Sequence, residues 1–263
     1  MGFDISNIIN AANYESFCEY SIIPPEGKLF NSDMLNCGGT IFCKTDYIDY
    51  LFDNIKKSNF KYNLITHHSD YPIDEERYNK KPECIHKWYG INTVYDGIDL
   101  INIPLGVKTH SGIYLETQYM TEWFADNIDR LIRKEKHLNV YCNWNITNIN
   151  RNNVLDTLNK NDVKCIYDTN LPFYNYIENM ANNKFVISPP GNGIDCHRTW
   201  EALYIGCYPI VIKNKIYDNL EGLPILQVND YNEVNMKMLE DFSDKKFSYE
   251  KLYVDYWKNL IKR

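Results

Sequence analysis

The stretch KFVISPPGNGIDCHRTWEALYIGCYPIVIK, residues 184–213, contains the signals of a strand, a loop, a helix and a second strand, in that order. Residues 184–188 and 208–212 are short runs of β-branched and aromatic side chains, which are typical of buried strands. The loop 189–194 holds two prolines and two glycines, which stiffen the backbone and let it approach a ligand closely. The stretch therefore predicts one strand–helix–strand unit of a parallel α/β sheet.

The segment between the loop and the second strand predicts a helix over 196–205. We expect Asp195 to be its N-cap and Gly206 to end it as a left-handed C-cap. A strand that feeds a glycine loop at a helix N-terminus presents free backbone N–H groups and the positive end of the helix dipole. The arrangement therefore predicts an anion site.

Two charged side chains accompany the loop formed by Gly191, Asn192 and Gly193. Arg198 lies in the first helical turn, where a cation opposes the dipole unless an anion lies between them. Glu201 follows three residues later on the same helix face. In one interpretation, a diphosphate binds to the loop and Arg198 while ribose hydroxyls bind to Glu201. In the other, Arg198 and Glu201 form a solvated pair beside an ordinary turn.

The sequence SPPGNGIDCHR from Ser188 to Arg198, followed by WEAL and GCYPIV, resembles the nucleotide-binding motif of exostosin-like glycosyltransferases. These enzymes are glycosyltransferase family 47 and its viral and bacterial relatives. They have the GT-B architecture, in which two Rossmann-like domains face each other across a cleft. The resemblance implies that Arg198 binds the pyrophosphate and Glu201 the ribose. It assigns to the same nucleotide site Ser188, Gly191, Asn192, Gly193 and Thr199.

The length of 263 residues fits two small domains, each large enough for its own core. We expect an acceptor-binding domain at 1–135, a nucleotide-sugar-binding domain at 136–245, and a terminal helix at 246–263 that crosses back to the first domain. Hydrophobic residues at 44% and charged residues at 24% are ordinary for a globular protein. The net charge of −7 argues against nucleic acid or an anionic membrane as the main partner.

The eight cysteines show no C-x-x-C pair and no regular spacing, so we interpret them as free thiols in a reducing compartment. The sequence has no secretory signal, and no apolar run approaches the roughly 20 residues that span a bilayer. We therefore expect a cytoplasmic protein without stable membrane insertion, whereas animal exostosins are anchored in the Golgi membrane. The many asparagines, lysines and tyrosines suggest an AT-rich genome, viral or bacterial; a viral protein would act in the host cytoplasm.

The polar cluster His67–Asp70 follows the strand predicted at 61–66. Ligands of α/β sheets meet the loops at the carboxyl ends of strands, so an acceptor would bind here. The cluster has three interpretations: it caps the next helix, it performs acid–base chemistry, or it binds a metal. The resemblance favours the second, because an inverting sugar transfer needs a base for the attacking hydroxyl. The candidate bases are Asp70, His68 and His67, with Asp74, Glu75 and Glu116 in reserve.

A second polar loop follows the first strand of the second half. Its N–H groups and Arg151 are expected at the same sheet edge as the glycine loop. Similar enzymes contact the nucleotide sugar with an Asn/Thr loop and an arginine, which implies this role for Asn145, Thr147 and Arg151. The other interpretation is a turn with a solvated arginine. On the helix predicted at 171–180, Tyr174 or Tyr176 either stacks on a nucleobase or packs in the core.

These features predict an inverting glycosyltransferase that moves a sugar from a nucleotide diphosphate donor, with UDP favoured, to a hydroxyl of an oligosaccharide or glycoprotein. The chain has no Asp-x-Asp motif, so we expect no metal and no other cofactor. The helix N-terminus and Arg198 would stabilise the leaving diphosphate instead. The alternatives are a GDP-sugar transferase of the fucosyl type and a non-catalytic module that binds nucleotides or glycans. A Rossmann-type oxidoreductase is disfavoured because Gly191-Asn-Gly193 lacks the third glycine of that motif.

Overall fold

The structure, a computed structural model, describes residues 4–23, 35–108, 115–145 and 148–263. These residues form an α/β protein with two five-stranded sheets, and neighbouring strands in both sheets pair in parallel. Parallel strands need long crossover connections, and their sheets are buried on both faces. The architecture is consistent with the two Rossmann-like domains expected from the sequence.

Five strands form the N-terminal sheet, and their spatial order is the same as their order in the chain. They are β1 (Tyr20–Ile22), β2 (Gly39–Lys44), β3 (Tyr62–His67), β4 (Ile85–Gly90) and β5 (Leu100–Asn102). The described helices of this half are α1 (Ala11–Glu15), α2 (Ile48–Ile55) and α3 (Glu75–Asn79). Strand β3 is central in the sheet, and its carboxyl end brings His67 to the sheet edge.

The C-terminal sheet has a different topology. Its strands are β6 (His137–Cys142), β7 (Cys165–Tyr167), β8 (Asn183–Ile187), β9 (Tyr208–Ile212) and β10 (Leu226–Val228), in the spatial order β10-β9-β8-β6-β7. The helices are α4 (Leu115–Ile132), α5 (Val154–Lys160), α6 (Phe173–Met180), α7 (His197–Tyr204), α8 (Met236–Ser243) and α9 (Val254–Ile261). The strand order reverses between β6 and β8. Loops diverge at such a reversal and leave a crevice at the carboxyl ends of the strands.

The motif of residues 184–213 folds as the strand, loop, helix and strand that its sequence predicts. Strand β9 has the predicted bounds, and β8 begins and ends one residue earlier than predicted. Gly206 follows α7 with a φ of +74°, which confirms the left-handed C-cap. The β8–α7 loop therefore lies beside the crevice at the reversal of strand order.

The start of α7 corrects one prediction about Asp195. The helix begins at His197 and its N-cap residue is Cys196, so Asp195 is not the cap. The Asp195 carboxylate instead accepts hydrogen bonds from the indole nitrogen of Trp200, at 3.0 and 2.9 Å, and from the backbone N–H of Leu105, at 3.0 Å. Because Leu105 belongs to the first half of the chain, Asp195 connects the two halves.

Buried apolar side chains of the described residues group into clusters on both faces of each sheet. The central cluster combines side chains of the N-terminal sheet, such as Phe42 and Ile65, with side chains of the C-terminal sheet, such as Tyr141. It also contains Trp200 of α7 and Trp257 of α9, which are both almost completely buried. Each such side chain stabilises the fold by roughly 1.5–3 kcal/mol. The two halves therefore share one core.

The C-terminal helix α9 lies against the first half of the chain. The side-chain amide of Asn63 on β3 donates a hydrogen bond of 2.9 Å to the carbonyl of Ile261. Asn7 and Asp255 exchange two hydrogen bonds of 3.0 Å. The chain thus returns to the N-terminal sheet after the second sheet is complete.

Neither membrane-spanning helices nor disulfides occur in the described part of the chain. All eight cysteines are free thiols, as their spacing predicts. Cys43, Cys142 and Cys207 are buried, and burial raises the pKa of the Cys207 thiol to about 12. A thiol in such a place is unreactive at neutral pH.

Candidate functional site

A cleft of about 740 Å³ lies between the two halves, at the carboxyl ends of strands from both sheets. This volume is within the range of about 300–1,000 Å³ typical of small-molecule sites. Its walls contain most of the residues that the sequence assigns to the site. They include His67, His68, Asp70, Asn145, Arg151, Gly191, Asn192, Gly193, Arg198 and Glu201.

Arg198 projects from the first turn of α7 and lines the cleft. Its Nε and Nη1 atoms are buried, and no described residue accepts a hydrogen bond from them. No ion pair joins Arg198 to Glu201 in the described structure, so the interpretation of a solvated pair is wrong. A guanidinium is charged at any relevant pH and carries only donors. Its buried nitrogens therefore lack the acceptors that an anion would provide.

Glu201 is held by a tyrosine rather than by Arg198. The hydroxyl of Tyr176 on α6 donates to Oε2 of Glu201 at 2.8 Å, and both residues line the cleft. Burial raises the pKa of Glu201, while this hydrogen bond and the charge of Arg198 oppose that rise. Oε1 of Glu201 receives no hydrogen bond from the described residues. It is available to accept one from a ligand hydroxyl.

Arg151 hydrogen-bonds to the backbone of the glycine loop. The Arg151 guanidinium donates to the backbone carbonyls of Pro190 at 2.9 Å, Pro189 at 3.3 Å and Asn145 at 2.9 Å. A Cβ atom at Gly191 would lie only 2.8 Å from Nη2 of Arg151, so a larger residue there would displace the guanidinium. These contacts give Arg151 a structural role in the loop, in addition to its place in the cleft wall.

Two residues predicted to contact the nucleotide are placed differently. The hydroxyls of Ser188 and Thr199 hydrogen-bond each other at 2.9 Å, and both residues are buried. Neither belongs to the cleft wall, so the structure uses them to join β8 to α7. Thr147 lies outside the described residues.

His67 is buried in the first half of the chain. Its Nδ1 accepts a hydrogen bond from the backbone N–H of His68 at 2.8 Å, so Nε2 carries the proton and donates to the carbonyl of Leu105 at 3.2 Å. The ring packs against Tyr14 and Phe42. Burial holds the pKa of His67 well below its usual value. The imidazole is therefore neutral, and both of its nitrogens are engaged.

Asp70 is exposed at the cleft and faces the glycine loop of the other half. A Cβ atom at Gly193 would lie 3.3 Å from Oδ1 of Asp70 and 3.0 Å from Nδ2 of Asn92. His68, beside it, adopts a left-handed backbone with φ of 59° and also lines the cleft. The structure therefore brings the predicted base next to the predicted anion loop.

The reserve acids have other positions. The carboxylate of Asp74 caps α3 by accepting from the N–H of Arg77 at 3.0 Å, and Glu75 is the first residue of that helix. The side chain of Glu116 lies outside the part of the structure that is described.

Hydrogen bonds between the halves surround the cleft, and the sequence analysis missed most of these residues. The N–H of Asp195 donates to Oδ1 of Asn92 at 2.9 Å, and Nδ1 of His197 contacts the carbonyl of Gly106 at 2.8 Å. Burial raises the pKa of Asp195 to about 6. Lys108, exposed on the first half, adds a cation to the cleft wall. Asp195 and His197 lie within the motif of residues 184–213, whereas Asn92, Gly106 and Lys108 lie outside it.

No protein-family model matches this chain, and no curated protein sequence matches it. A functional conclusion therefore depends on the chemistry of the cleft. The described cleft combines buried guanidinium nitrogens without acceptors, a free carboxylate oxygen and a second carboxylate on the opposite wall.

Proposed function

We propose that this protein is an inverting glycosyltransferase of the GT-B type that transfers a sugar from a UDP-sugar to a hydroxyl of a glycan. The observation that carries the proposal is the state of Arg198, whose buried Nε and Nη1 have no acceptor among the described residues. A buried charged donor left unsatisfied costs roughly 1–3 kcal/mol or more. A bound diphosphate would supply the acceptors.

The C-terminal half supplies the donor site in this proposal. The diphosphate binds Arg198 and the N-terminus of α7, where the helix dipole favours negative charge. The ribose hydroxyls donate to the free Oε1 of Glu201. Arg198 and the N-terminus of α7 also stabilise the charge that develops on the leaving diphosphate, as preorganised donors do in other transfer reactions. No metal is assigned a role, because the chain lacks an Asp-x-Asp motif.

The architecture supports the GT-B assignment. Two parallel sheets direct the carboxyl ends of their strands toward one cleft, and the C-terminal sheet has its strand-order reversal there. The loop after β8 contributes the glycines, and the loop after β6 contributes Asn143, Trp144 and Asn145. The donor is therefore held by loops from both sides of the reversal.

The N-terminal half supplies the acceptor side. His68, Ser69 and Asp70 line the cleft wall that faces the glycine loop. A hydroxyl bound there attacks the anomeric carbon from the side opposite the diphosphate, which gives inversion. This polar wall favours an enzyme over a module that only binds nucleotides, because binding alone does not need polar groups opposite the phosphate loop.

Nucleotide titration tests the donor site. We expect UDP to bind with EDTA present or absent, and to bind more tightly than GDP. Arg198→Ala should weaken UDP binding about 10- to 100-fold, because hydrogen bonds to charged groups contribute about 1.5–3 kcal/mol. The control Arg133→Ala removes an exposed arginine that is not in the cleft wall, and it should bind UDP as the wild type does. Isothermal calorimetry measures all of these affinities.

The same variants separate binding from folding. Arg198→Ala should unfold at a urea concentration close to that of the wild type. Equal loss of stability and of affinity would make Arg198 a structural residue. If neither UDP nor GDP binds the wild type, the assignment of an anion site to this cleft is wrong. Tighter binding of GDP than of UDP would indicate that the donor is a GDP-sugar. Nucleotide binding without turnover of any nucleotide sugar would indicate a non-catalytic module.

A further inference from the structure

His197 is the first residue of α7 and lines the cleft one position before Arg198. Its Nδ1 lies 2.8 Å from the backbone carbonyl of Gly106, in the first half of the chain. A carbonyl oxygen can only accept a hydrogen bond, so Nδ1 carries a proton and donates it. This contact fixes the tautomer of the ring whenever the ring is neutral.

The ring of His197 is neutral at pH 7. Burial lowers its pKa to about 4, although the hydrogen bond to Gly106 acts in the other direction. With the proton on Nδ1, the second nitrogen Nε2 has a free lone pair. No described residue hydrogen-bonds Nε2, and it is not among the buried, partnerless side-chain atoms, which belong to Tyr14, Arg198, Asn219 and Tyr231. Nε2 therefore keeps some accessible surface, and His197 lines the cleft.

Charged groups of both halves act on His197. The carboxylate of Asp70 raises its pKa, whereas Lys108 and His68 lower it. The negative charge of Asp70, on the other side of the cleft, thus favours protonation of His197. Its oxygen also approaches the glycine loop, where a Cβ at Gly193 would lie 3.3 Å away.

Neighbouring side chains at the start of α7 interact with opposite halves of the molecule. His197 contacts Gly106 of the first half, whereas the charge of Arg198 acts on Tyr176 and Tyr231 of the second half. A sugar whose diphosphate is bound by Arg198 would lie between these two groups. An incoming hydroxyl on the side of the first half would then meet Nε2 opposite the leaving group.

We propose that Nε2 of His197 accepts the proton of the attacking hydroxyl and that Asp70 stabilises the imidazolium that forms. This inference rests on the proposed glycosyl transfer. The hydroxyl oxygen forms a bond to the anomeric carbon, and the bond from that carbon to the diphosphate oxygen breaks with its electron pair on the diphosphate. The proton moves to Nε2 and is later released to water.

The low basicity of His197 is compatible with this role. A group with a pKa of about 4 is unprotonated at pH 7 and is about as basic as an ordinary carboxylate. Carboxylates commonly act as general bases. His67 cannot take this role, because its Nδ1 and Nε2 are both occupied by backbone partners.

The variant His197→Asn tests the role of Nε2 separately from that of Nδ1. Its side-chain amide can still donate to the carbonyl of Gly106 in place of Nδ1, but nothing replaces Nε2. The assay follows UDP release from UDP-glucose, UDP-galactose, UDP-N-acetylglucosamine and UDP-glucuronate, with water as the acceptor. We expect His197→Asn to lower the rate on the order of 100-fold or more, as general-base catalysis typically contributes. The dissociation constant of UDP should stay within about threefold of the wild type.

Histidine nitrogen NMR provides a readout that does not depend on activity. In the wild type at pH 7, we expect His197 to carry its proton on Nδ1 and to leave Nε2 bare. Asp70→Asn should lower the pKa of His197, because a charge that favours its protonation is lost. The same variant should slow UDP release less than His197→Asn does.

Two results would overturn the inference: a proton on Nε2 in the wild type, or a rate for His197→Asn within about threefold of the wild type. Failure of the proposed function looks different. In that case the wild type itself releases no UDP from any donor, and the inference falls with it.

Discussion

At the residue scale, Tyr176 and Glu201 show how a buried carboxylate is kept ready for a ligand. The tyrosine hydroxyl occupies Oε2, and Oε1 has no donor among the described residues. Burial raises the pKa of Glu201, so each donor that contacts the carboxylate favours its charged form. Tyr176 thereby positions Glu201 and helps to keep it ionised.

Tyr176→Phe tests this role with two nucleotides. We expect UDP to bind roughly 2- to 10-fold more weakly, the effect of about 0.5–1.5 kcal/mol for one hydrogen bond. The affinity for 2′,3′-dideoxy-UDP should not change, because that analogue has no ribose hydroxyl for Glu201. The control Tyr174→Phe removes a hydroxyl from the same helix at a residue outside the cleft wall, and it should bind both nucleotides as before. Equal weakening of both nucleotides by Tyr176→Phe would show a general packing defect instead.

The sequence identified some site residues and not others for physical reasons. Arg198 and Glu201 were predicted because their position at a helix N-terminus after a glycine loop has a local meaning. Arg151 was expected at the site, but its hydrogen bonds to the carbonyls of Pro189 and Pro190 were not, because these residues are distant in sequence. Asn92 is likewise defined only by its contact with Asp195 in the other half.

At the element scale, the segment after β5 brings the first half to the cleft through Gly106. Its φ is +74°, and a Cβ there would lie 2.0 Å from the carbonyl oxygen of Ile9. Gly206, after α7, has the same φ of +74°, but the nearest atom to its Cβ position is 3.6 Å away. The two glycines share a backbone conformation and differ in the space around them.

Gly106→Ala and Gly206→Ala therefore form a matched pair. Gly206→Ala should reduce the free energy of unfolding by roughly 1 kcal/mol, the cost of a left-handed backbone for alanine. Gly106→Ala should cost more than about 3 kcal/mol, because backbone atoms of residue 9 cannot move aside. Urea unfolding of both variants measures the difference. Equal losses would show that the contact with Ile9 is easily relieved.

Helices and strands were predicted best where the hydrophobic pattern was long. The strand at 208–212 has the predicted bounds, and the helix predicted at 171–180 begins two residues late, at Phe173, after Pro172. Strand β1 was not predicted, because three residues contain too little periodicity to indicate a strand. The start of α7 was misplaced because the carboxylate of Asp195 is engaged by Leu105, a partner that the local sequence does not contain.

At the scale of the whole molecule, buried titratable groups make stability depend on pH. His197 has a folded pKa of about 4 against an ordinary value of 6.5, and the pKa of His67 is also lowered by burial. Between these values only the unfolded chain binds the proton, so stability rises as pH increases. Asp195 acts oppositely: its folded pKa is about 6 against 3.8, so stability falls as pH rises through that window.

We expect the protein to be more stable at pH 7 than at pH 5, because the lowered pKa values of His67 and His197 outweigh the raised pKa values of Asp195 and Glu201. His197 should contribute on the order of 1 kcal/mol of this difference, after allowance for its partial exposure. His197→Asn should therefore flatten the pH dependence, and Asp195→Asn should steepen it. Urea unfolding at pH 5, 6 and 7 measures the slopes. A wild type that is more stable at pH 5 would show that the histidines are not buried as neutral groups.

The α/β class was predicted by the strand–helix–strand unit at 184–213, and the two domains by the chain length and the family resemblance, but the order of strands was not predicted. The N-terminal sheet is sequential, whereas the C-terminal sheet reverses between β6 and β8. Pairing partners of parallel strands lie far apart in sequence, and no local residue pattern specifies which strands become neighbours. The reversal beside the cleft therefore became clear only from the structure.

The central cluster, which combines side chains of both sheets, limits how evolution and engineering can recombine this fold. Exchanging the C-terminal half for that of another protein would expose Phe42, Ile65 and Tyr89 to water unless the new partner matched their shape. New binding specificities would therefore arise more easily by changing loop residues around the cleft than by shuffling whole halves. The shared core joins the two separate sheets into a single packed unit.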